Sequence, residues 1–184
     1  TGVPTDRGGK GRNMIRKAER AGYVARLFQT KDHLEDIHRI HLSKSVRGGR
    51  PMTEAYKQYP RSMDVEHAQF CSRHDIINIG CFLGDTLTAY LSLAIVGELA
   101  VIRRIIGHGE HLPNGVMNLL TRDLVAYCLQ REDTIRATNY LTLSGSPLGL
   151  WRFKASVGFE EREVVLLGEG LGAADTKATL SGAA

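Results

Sequence analysis

Apolar positions recur along this 184-residue chain with two periods, one helical and one of strands. Helical spacing covers residues 13–20 and stops at Gly22, a residue suited to the left-handed C-terminal cap. Residues 23–28 read as a strand. Over 31–43, Leu34, Ile37, Ile40 and His41 fall on adjoining helical positions and predict an amphipathic helix. The stretch Val46-Arg-Gly-Gly-Arg-Pro51 breaks it as a loop, and further helical patterns follow at 53–59, ended by Pro60, and at 64–73. The centre is clearest. Residues 76–83, 86–96 and 99–106 are apolar, β-branched runs separated by Gly84-Asp85 and Gly97-Glu98, which predicts two tight hairpins and a three-stranded antiparallel meander. After a polar loop at 107–114, residues 115–130 place Val116, Leu120, Leu124 and Tyr127 on one helix face. A strand at 135–143, a helix at 147–156 and a strand at 160–167 close the pattern.

These elements predict a single domain over residues 12–168. Residues 1–11 are expected as a flexible, Gly- and Pro-bearing segment, and 169–184 as a flexible tail with no periodic pattern. No repeat interrupts the order. Strand, helices, antiparallel meander, helix, strand, helix, strand is an α/β arrangement, a mixed sheet with a central antiparallel meander flanked by helices.

Composition narrows the class. Hydrophobic residues make up 42% of the chain, enough for a real core. No run approaches the roughly 18 apolar residues of a membrane helix, and no signal-peptide pattern opens the chain, so it reads as soluble and cytoplasmic, without membrane insertion. It opens on Thr1, as a fragment or a processed chain does. Cys71, Cys81 and Cys128 have no framework spacing, which fits a reducing compartment.

The net charge of +4 is unevenly spread. Residues 1–31 hold eight Lys/Arg against Asp6 and Glu19, and the rest of the chain is slightly acidic. Arg47 and Arg50 form a second small cluster. Such a surface suits an anionic partner such as a tRNA, a phosphate-bearing carrier or a cofactor phosphate, although charge runs are more often a solvated helix face and a disordered basic end.

The order of elements resembles the GNAT acyltransferase superfamily. Two stretches are similar to a narrower group, the Fem-type (FemAB-like) aminoacyltransferases. One is Arg12-Asn-Met-Ile-Arg-Lys-Ala-Glu-Arg-Ala-Gly22; the other is Tyr140-Leu-Thr-Leu-Ser-Gly with Gly149-Leu-Trp-Arg-Phe-Lys154 and Gly158-Phe159. The loop Arg47-Gly-Gly-Arg-Pro51 is also similar to a family loop. Fem-type peptidoglycan enzymes carry two GNAT units; this chain has room for one.

The resemblance implies a GNAT-like fold and transfer of an acyl or aminoacyl group from acyl-CoA or aminoacyl-tRNA to a primary amine, with no tightly bound cofactor. It implies that Lys154 stabilises the oxyanion or holds the donor, beside Phe153 at the donor site, and that Tyr140 or Ser144 protonates the leaving group. Arg12, Arg16 and Lys17, assisted by Arg47 and Arg50, would hold anionic parts of donor or acceptor. Lys154→Ala is then expected to remove turnover and leave the melt nearly unchanged.

Arg104-Ile-Ile-Gly-His-Gly109 fits R-x-x-G-x-G, the loop by which GNAT enzymes hold a pyrophosphate, and makes Arg104, Gly107 and Gly109 donor-binding candidates. An ordinary strand-to-helix loop is equally compatible, because residues 110–114 intervene before the helix. Glu98, His108, Glu110 and His111 are candidate bases. His33, His38 and His41 read as a solvated face with one packed histidine. A metal set of His67, Cys71, His74 and Cys81 lacks paired spacing, and no metal site is expected. The rival from another class is a non-catalytic module of the same fold that binds nucleic acid through the basic N-terminal region.

Overall fold

The computed structural model describes residues 9–62, 73–142, 148–165 and 177–183. Helix α1 (Gly9–Arg20) begins earlier than its apolar spacing suggested. Lys17 and Arg20 in its last turn oppose the negative end of the helix dipole, and Gly22 at φ 85° stops it. Strand β1 (Tyr23–Leu27) leads through a 3-10 turn at Thr30–His33 into α2 (Leu34–Leu42). The expected loop at 46–51 is a small hairpin of β2 (Val46–Arg47) and β3 (Arg50–Pro51). Gly48 and Gly49 supply the two positive φ values, 54° and 76°, that its two-residue turn needs. The helix expected at 53–59 is only a 3-10 turn, Glu54–Tyr56, and the helix expected at 64–73 lies almost wholly outside the described residues.

The meander is β4 (His74–Leu83), β5 (Thr86–Val96) and β6 (Leu99–Gly107), as its glycine turns predicted. Helix α3 (Val116–Leu129), β7 (Ala137–Thr142), α4 (Leu148–Ser156) and β8 (Glu160–Val165) follow. The expectation of a patternless tail is corrected at its end: Lys177–Ala183 is strand β9, inserted between β7 and β8. The seven-stranded order is β1-β4-β5-β6-β7-β9-β8, antiparallel except where β6 meets β7. Among the described residues no helix is long and apolar enough to cross a membrane.

Alternation along the strands feeds two cores. On one face, Ile79, Leu91, Leu93, Ala100 and Ile102 pack with Val116, Leu119, Leu120 and Leu124 of α3, with Ala18 of α1, and with Val157 and Phe159 after α4. On the other, Phe82, Leu87, Tyr90 and Ile106 pack with Phe28 and with Ile37 and Ile40 of α2. Each fully buried leucine or isoleucine contributes roughly 1.5–3 kcal/mol. The larger core therefore carries most of the hydrophobic stabilisation.

Candidate active site

The sheet opens where β6 and β7 part. Their parallel pairing covers only Leu99↔Ala137, Ala100↔Thr138 and Val101↔Asn139, yet β6 continues to Gly107 and β7 to Thr142. Two irregularities explain the parting. In the β5–β6 ladder Ser92 faces Arg104 while Leu93 faces Ile102, so Arg103 is an extra residue. Such a bulge bends the strand that carries it. On the other side, β7 shifts register against β9 between Asn139 and Thr142. Beyond Val101 and Asn139 the facing edges of β6 and β7 are no longer paired to each other, and a ligand with amide groups can pair there as a strand would.

Lys154 is 1% exposed, buried on α4, and its Nζ donates to the Tyr140 carbonyl at 2.6 Å, at the first residue of β7 past the paired register. The ammonium lies 4.7 Å from the Tyr140 ring centroid, and burial lowers its pKa from the usual lysine value. The reading of Lys154→Ala is corrected here: so buried a side chain cannot be truncated without leaving a hole. The Tyr140 ring is core, 3% exposed and edge-on to Phe159 at 5.3 Å, and burial pushes its phenol well above the ordinary range. Phe153 packs at the edge of the large core. Ser144 lies outside the described residues.

The glycine-loop assignment is corrected by its hydrogen bonds. His108 N donates to Thr88 O (2.8 Å), Gly109 N to Ser43 Oγ (2.9 Å), Leu112 N to His108 O (3.2 Å) and Gly115 N to Leu112 O (3.3 Å), so this stretch spends those donors internally. The glycines serve close packing instead. A Cβ on Gly107 would meet Leu112 Cδ2 at 2.9 Å, and one on Gly109 would meet Lys44 Cγ at 2.9 Å. The first intrahelical bond of α3 is Leu119 N to Gly115 O, which leaves Val116, Met117 and Asn118 as the N–H groups of a helix N-terminus. That N-terminus can receive a phosphate; the glycine loop before it is not built to.

Helix α1 crosses this point. Met14 O sits where a Cβ of Gly115 would be, at 2.2 Å, and Lys17 Nζ donates to Pro113 O at 2.7 Å. Asn13, Arg16, Lys17, Arg20 and Ala21 line a hollow of about 440 Å³. Arg12 is exposed on the same helix.

Arg47 and Arg104 belong to the α2 face. Arg47 is a clamp: Nη1 donates to Gly107 O (2.7 Å), and Nη2 to Ile40 O (2.6 Å) and Ser43 Oγ (2.9 Å), tying the end of α2 to the end of β6. Arg50 pairs with Arg47 across the hairpin and is exposed. Arg104, one residue past the bulge, is hydrogen-bonded to Tyr90 and Tyr56, with its guanidinium carbon 5.2 Å from the Tyr56 ring centroid.

The sequence reading missed the group that Arg104 joins. His41 Nε2 and Tyr90 Oη are 2.6 Å apart and buried, and the Tyr56 ring stands edge-on to His41 at 4.8 Å. Burial first, then the charges of Arg104, Arg47 and His38, push the His41 imidazole down to about 4. Burial pushes the Tyr90 phenol up to about 12. The signal was a histidine on the apolar stripe of α2, where water cannot satisfy it. Of the candidate bases, His111 Nδ1 is 2.6 Å from Tyr23 Oη, with Asn114 on the same hydroxyl, beside α3 rather than the gap.

Of the four metal candidates, His67 and Cys71 lie outside the described residues, His74 is exposed and Cys81 is in the core, where burial pushes its thiol up to about 11. Among the described residues no group of three His, Cys, Asp or Glu forms a metal site.

No family model and no curated protein sequence matches the chain. Solved structures do. The ribosomal-protein-S18-alanine N-acetyltransferase of Escherichia coli aligns with a TM-score of 0.53 and 14% identity over 87% of this chain and 90% of its own. The PaiA N-acetyltransferase of Thermoplasma acidophilum, solved in complex with coenzyme A, aligns at 0.57 and 14% over 88% and 98%. An acetyltransferase of Thermus thermophilus aligns at 0.54 and 15% over 87% and 95%. The likeness is one of fold: the chain has the sheet and helix arrangement of the GNAT acetyltransferases.

Proposed function

We propose that this GNAT-fold chain is an N-acyltransferase, which moves an acyl group from acyl-CoA to a primary amine by direct attack. The observation that supports it is the opening of the sheet beyond Val101 and Asn139. The amide-bearing arm of a CoA thioester fits between two strand edges that are no longer paired to each other, where backbone N–H groups of β6 would stabilise the oxygen that becomes negative during attack. The N–H groups of Val116, Met117 and Asn118 suit its pyrophosphate, with Lys17 of α1 on the turn before them. In the reaction the amine lone pair forms the C–N bond, the C–S bond breaks, and the amine loses a proton as the thiolate gains one.

Lys154 is assigned to the reacting centre, where it fixes the Tyr140 carbonyl at the mouth of the gap and adds positive charge beside the developing oxyanion. That role, and the narrower Fem-type reading with its aminoacyl-tRNA donor, rest on the sequence resemblance around Arg12 and Lys154. CoA is favoured as donor because a solved protein of the same fold holds it. Arg12, Arg16 and Lys17 are assigned to the donor's phosphates.

Calorimetric titration with CoA and acetyl-CoA tests the donor. Saturable binding that Lys154→Met leaves intact, with loss of acetylation of an amine panel by the same variant, is the expected result. Absence of binding, with steep salt-dependent binding of RNA instead, would overturn the reading in favour of a nucleic-acid module.

A further inference from the structure

The reading above leaves the amine acceptor unnamed, and the α2 side of the gap narrows its chemistry. The inner face of the sheet toward α3 and α4 is filled by the large core, so the acceptor must reach the gap from the α2 side. There the half-buried Arg104 and Tyr56 stand in front of the buried His41 and Tyr90. Arg104 lies three positions past Val101, the last β6 residue paired with β7.

The hydrogen-bond order in this group follows from what each member can do. A guanidinium only donates, so the Tyr90 oxygen accepts from Arg104. The Tyr90 hydroxyl proton is then directed at His41 Nε2, 2.6 Å away. A neutral His41 accepting there carries its own proton on Nδ1, and that atom is buried with no partner. Arg47 Nε, whose charge also acts on His41, is a second buried donor without an acceptor. His41 as a whole is only 5% exposed, so these are interior donors rather than solvated ones. The charges that act on His41 from the surrounding elements are Arg104 of β6, Arg47 of β2 and His38 of α2; Asp36, one turn back, is held by Arg39, His33 and Leu87 N. A half-buried guanidinium over interior donors that lack acceptors makes this group positive in potential, and so complementary to an oxyanion.

Resting on the acyltransferase reading, we propose that Arg104, steadied by Tyr90 and Tyr56 in front of His41, binds a carboxylate on the acceptor, so that the acceptor is a small amine that also carries a carboxylate, an amino acid or a close analogue. The planar guanidinium presents paired N–H donors that match a carboxylate's two oxygens, and the amino group on the neighbouring carbon is thereby turned toward the gap. Arg104 is in this view an acceptor-binding residue, not part of a phosphate loop.

The test uses the full chain and matched pairs: L-alanine against ethylamine, L-phenylalanine against phenethylamine, and L-lysine against cadaverine. Binding is read by calorimetry without donor, and acetylation by mass spectrometry with acetyl-CoA. The expected result is that at least one amino acid binds about 10-fold or more tightly than its decarboxylated partner. Arg104→Gln should erase that preference, Arg104→Lys should retain part of it, and Tyr90→Phe, which keeps the ring, should weaken it. CoA affinity should be the same in all three variants. Equal binding of both members of every pair, a preference that survives Arg104→Gln, or tighter binding of inorganic phosphate than of any amino acid would overturn the proposal. Failure of CoA to bind would refute the acyltransferase reading alone, because the donor-free binding arm still decides what Arg104 binds.

Discussion

The two faces of the sheet bury their polar groups in opposite ways. Toward α3 and α4 the interior is broad and apolar, and Lys154, the one buried lysine among the described residues, spends its ammonium on a backbone carbonyl and the face of Tyr140. Toward α2 the apolar set is small, and beside it His41, Tyr90, Tyr56 and Arg104 form a connected network next to the Arg47 clamp, with His41 Nδ1 and Arg47 Nε as buried donors that lack acceptors. The first face supplies hydrophobic free energy and fixes where β6 and β7 separate. The second uses little of that energy and holds preoriented dipoles and charges next to the separation. Rigid packing on one side supports a polar group on the other.

The largest effect expected on this contrast comes from Gly115→Ala. The residue has φ 83°, and its added Cβ would meet Met14 O at 2.2 Å, so both backbone strain and overpacking of α1 against α3 apply. Together they should cost about 4 kcal/mol in urea unfolding. Gly84→Ala is the control: φ is 59° and nothing lies within 4 Å of the added carbon, so about 1 kcal/mol is expected. Equal losses in the two variants would mean that α1 is not seated on the start of α3.

Acid titration is next in size and probes the other face. His41 has an unfolded value of 6.5 and a folded value of about 4, so between them the unfolded chain binds more protons. Its contribution is complete above pH 6.5 and is lost as the pH falls toward 4. A shift of this size corresponds to about 3 kcal/mol. His111, lowered by burial and by His108, adds a loss of the same sign. Asp36 acts lower: against the upward push of burial, Leu87 N–H and Arg39 hold it below 3.8. Unfolding measured from pH 4 to pH 7 should therefore flatten in part in His41→Gln, and further when His111→Gln is added. An unchanged slope in His41→Gln would dissolve the buried His41–Tyr90 pair.

How much of this was legible in the sequence depends on how local the cause is. The meander was legible because Gly84 and Gly97 sit between alternating runs and take φ of 59° and 61°, a demand only nearby residues set. Strand β9 was not, since Lys-Ala-Thr-Leu-Ser-Gly-Ala has little pattern and gains its place by pairing with β7 and β8. The bulge at Arg103 was invisible for the same reason. It decides the site, because it bends β6 and sets which way Arg104 points. The R-x-x-G-x-G spacing matched a phosphate loop in letters, yet Ser43, distant in sequence, takes the Gly109 N–H. His41 could have been suspected from its place on an apolar stripe, but its partner Tyr90 lies 49 positions away.

The smallest stability effect, and the sharpest separation of folding from function, is expected from Lys154→Met. Methionine fills nearly the same volume, so no cavity opens, and it removes an ammonium whose desolvation is offset by one carbonyl and a ring face. Replacing a buried charge by an apolar side chain of similar shape is often close to neutral, so unfolding at pH 7 should change by about 1 kcal/mol or less. Lys154→Ala should cost roughly 2 kcal/mol or more, because it leaves a hole beside Tyr140. The two variants also differ from wild type in pH dependence. Burial lowers Lys154 from 10.5, so the unfolded chain binds the extra proton at alkaline pH, and wild-type stability gains from this group as the pH rises toward 10.5. Lys154→Met lacks that gain. If the methionine variant melts like wild type, loses the alkaline gain and loses acetyl transfer, then the lysine is kept for the reaction and not for the fold. If it melts far below wild type, the Lys154–Tyr140 contact is a structural lock between α4 and β7, and the contrast between an apolar supporting face and a polar reacting face is wrong at its centre.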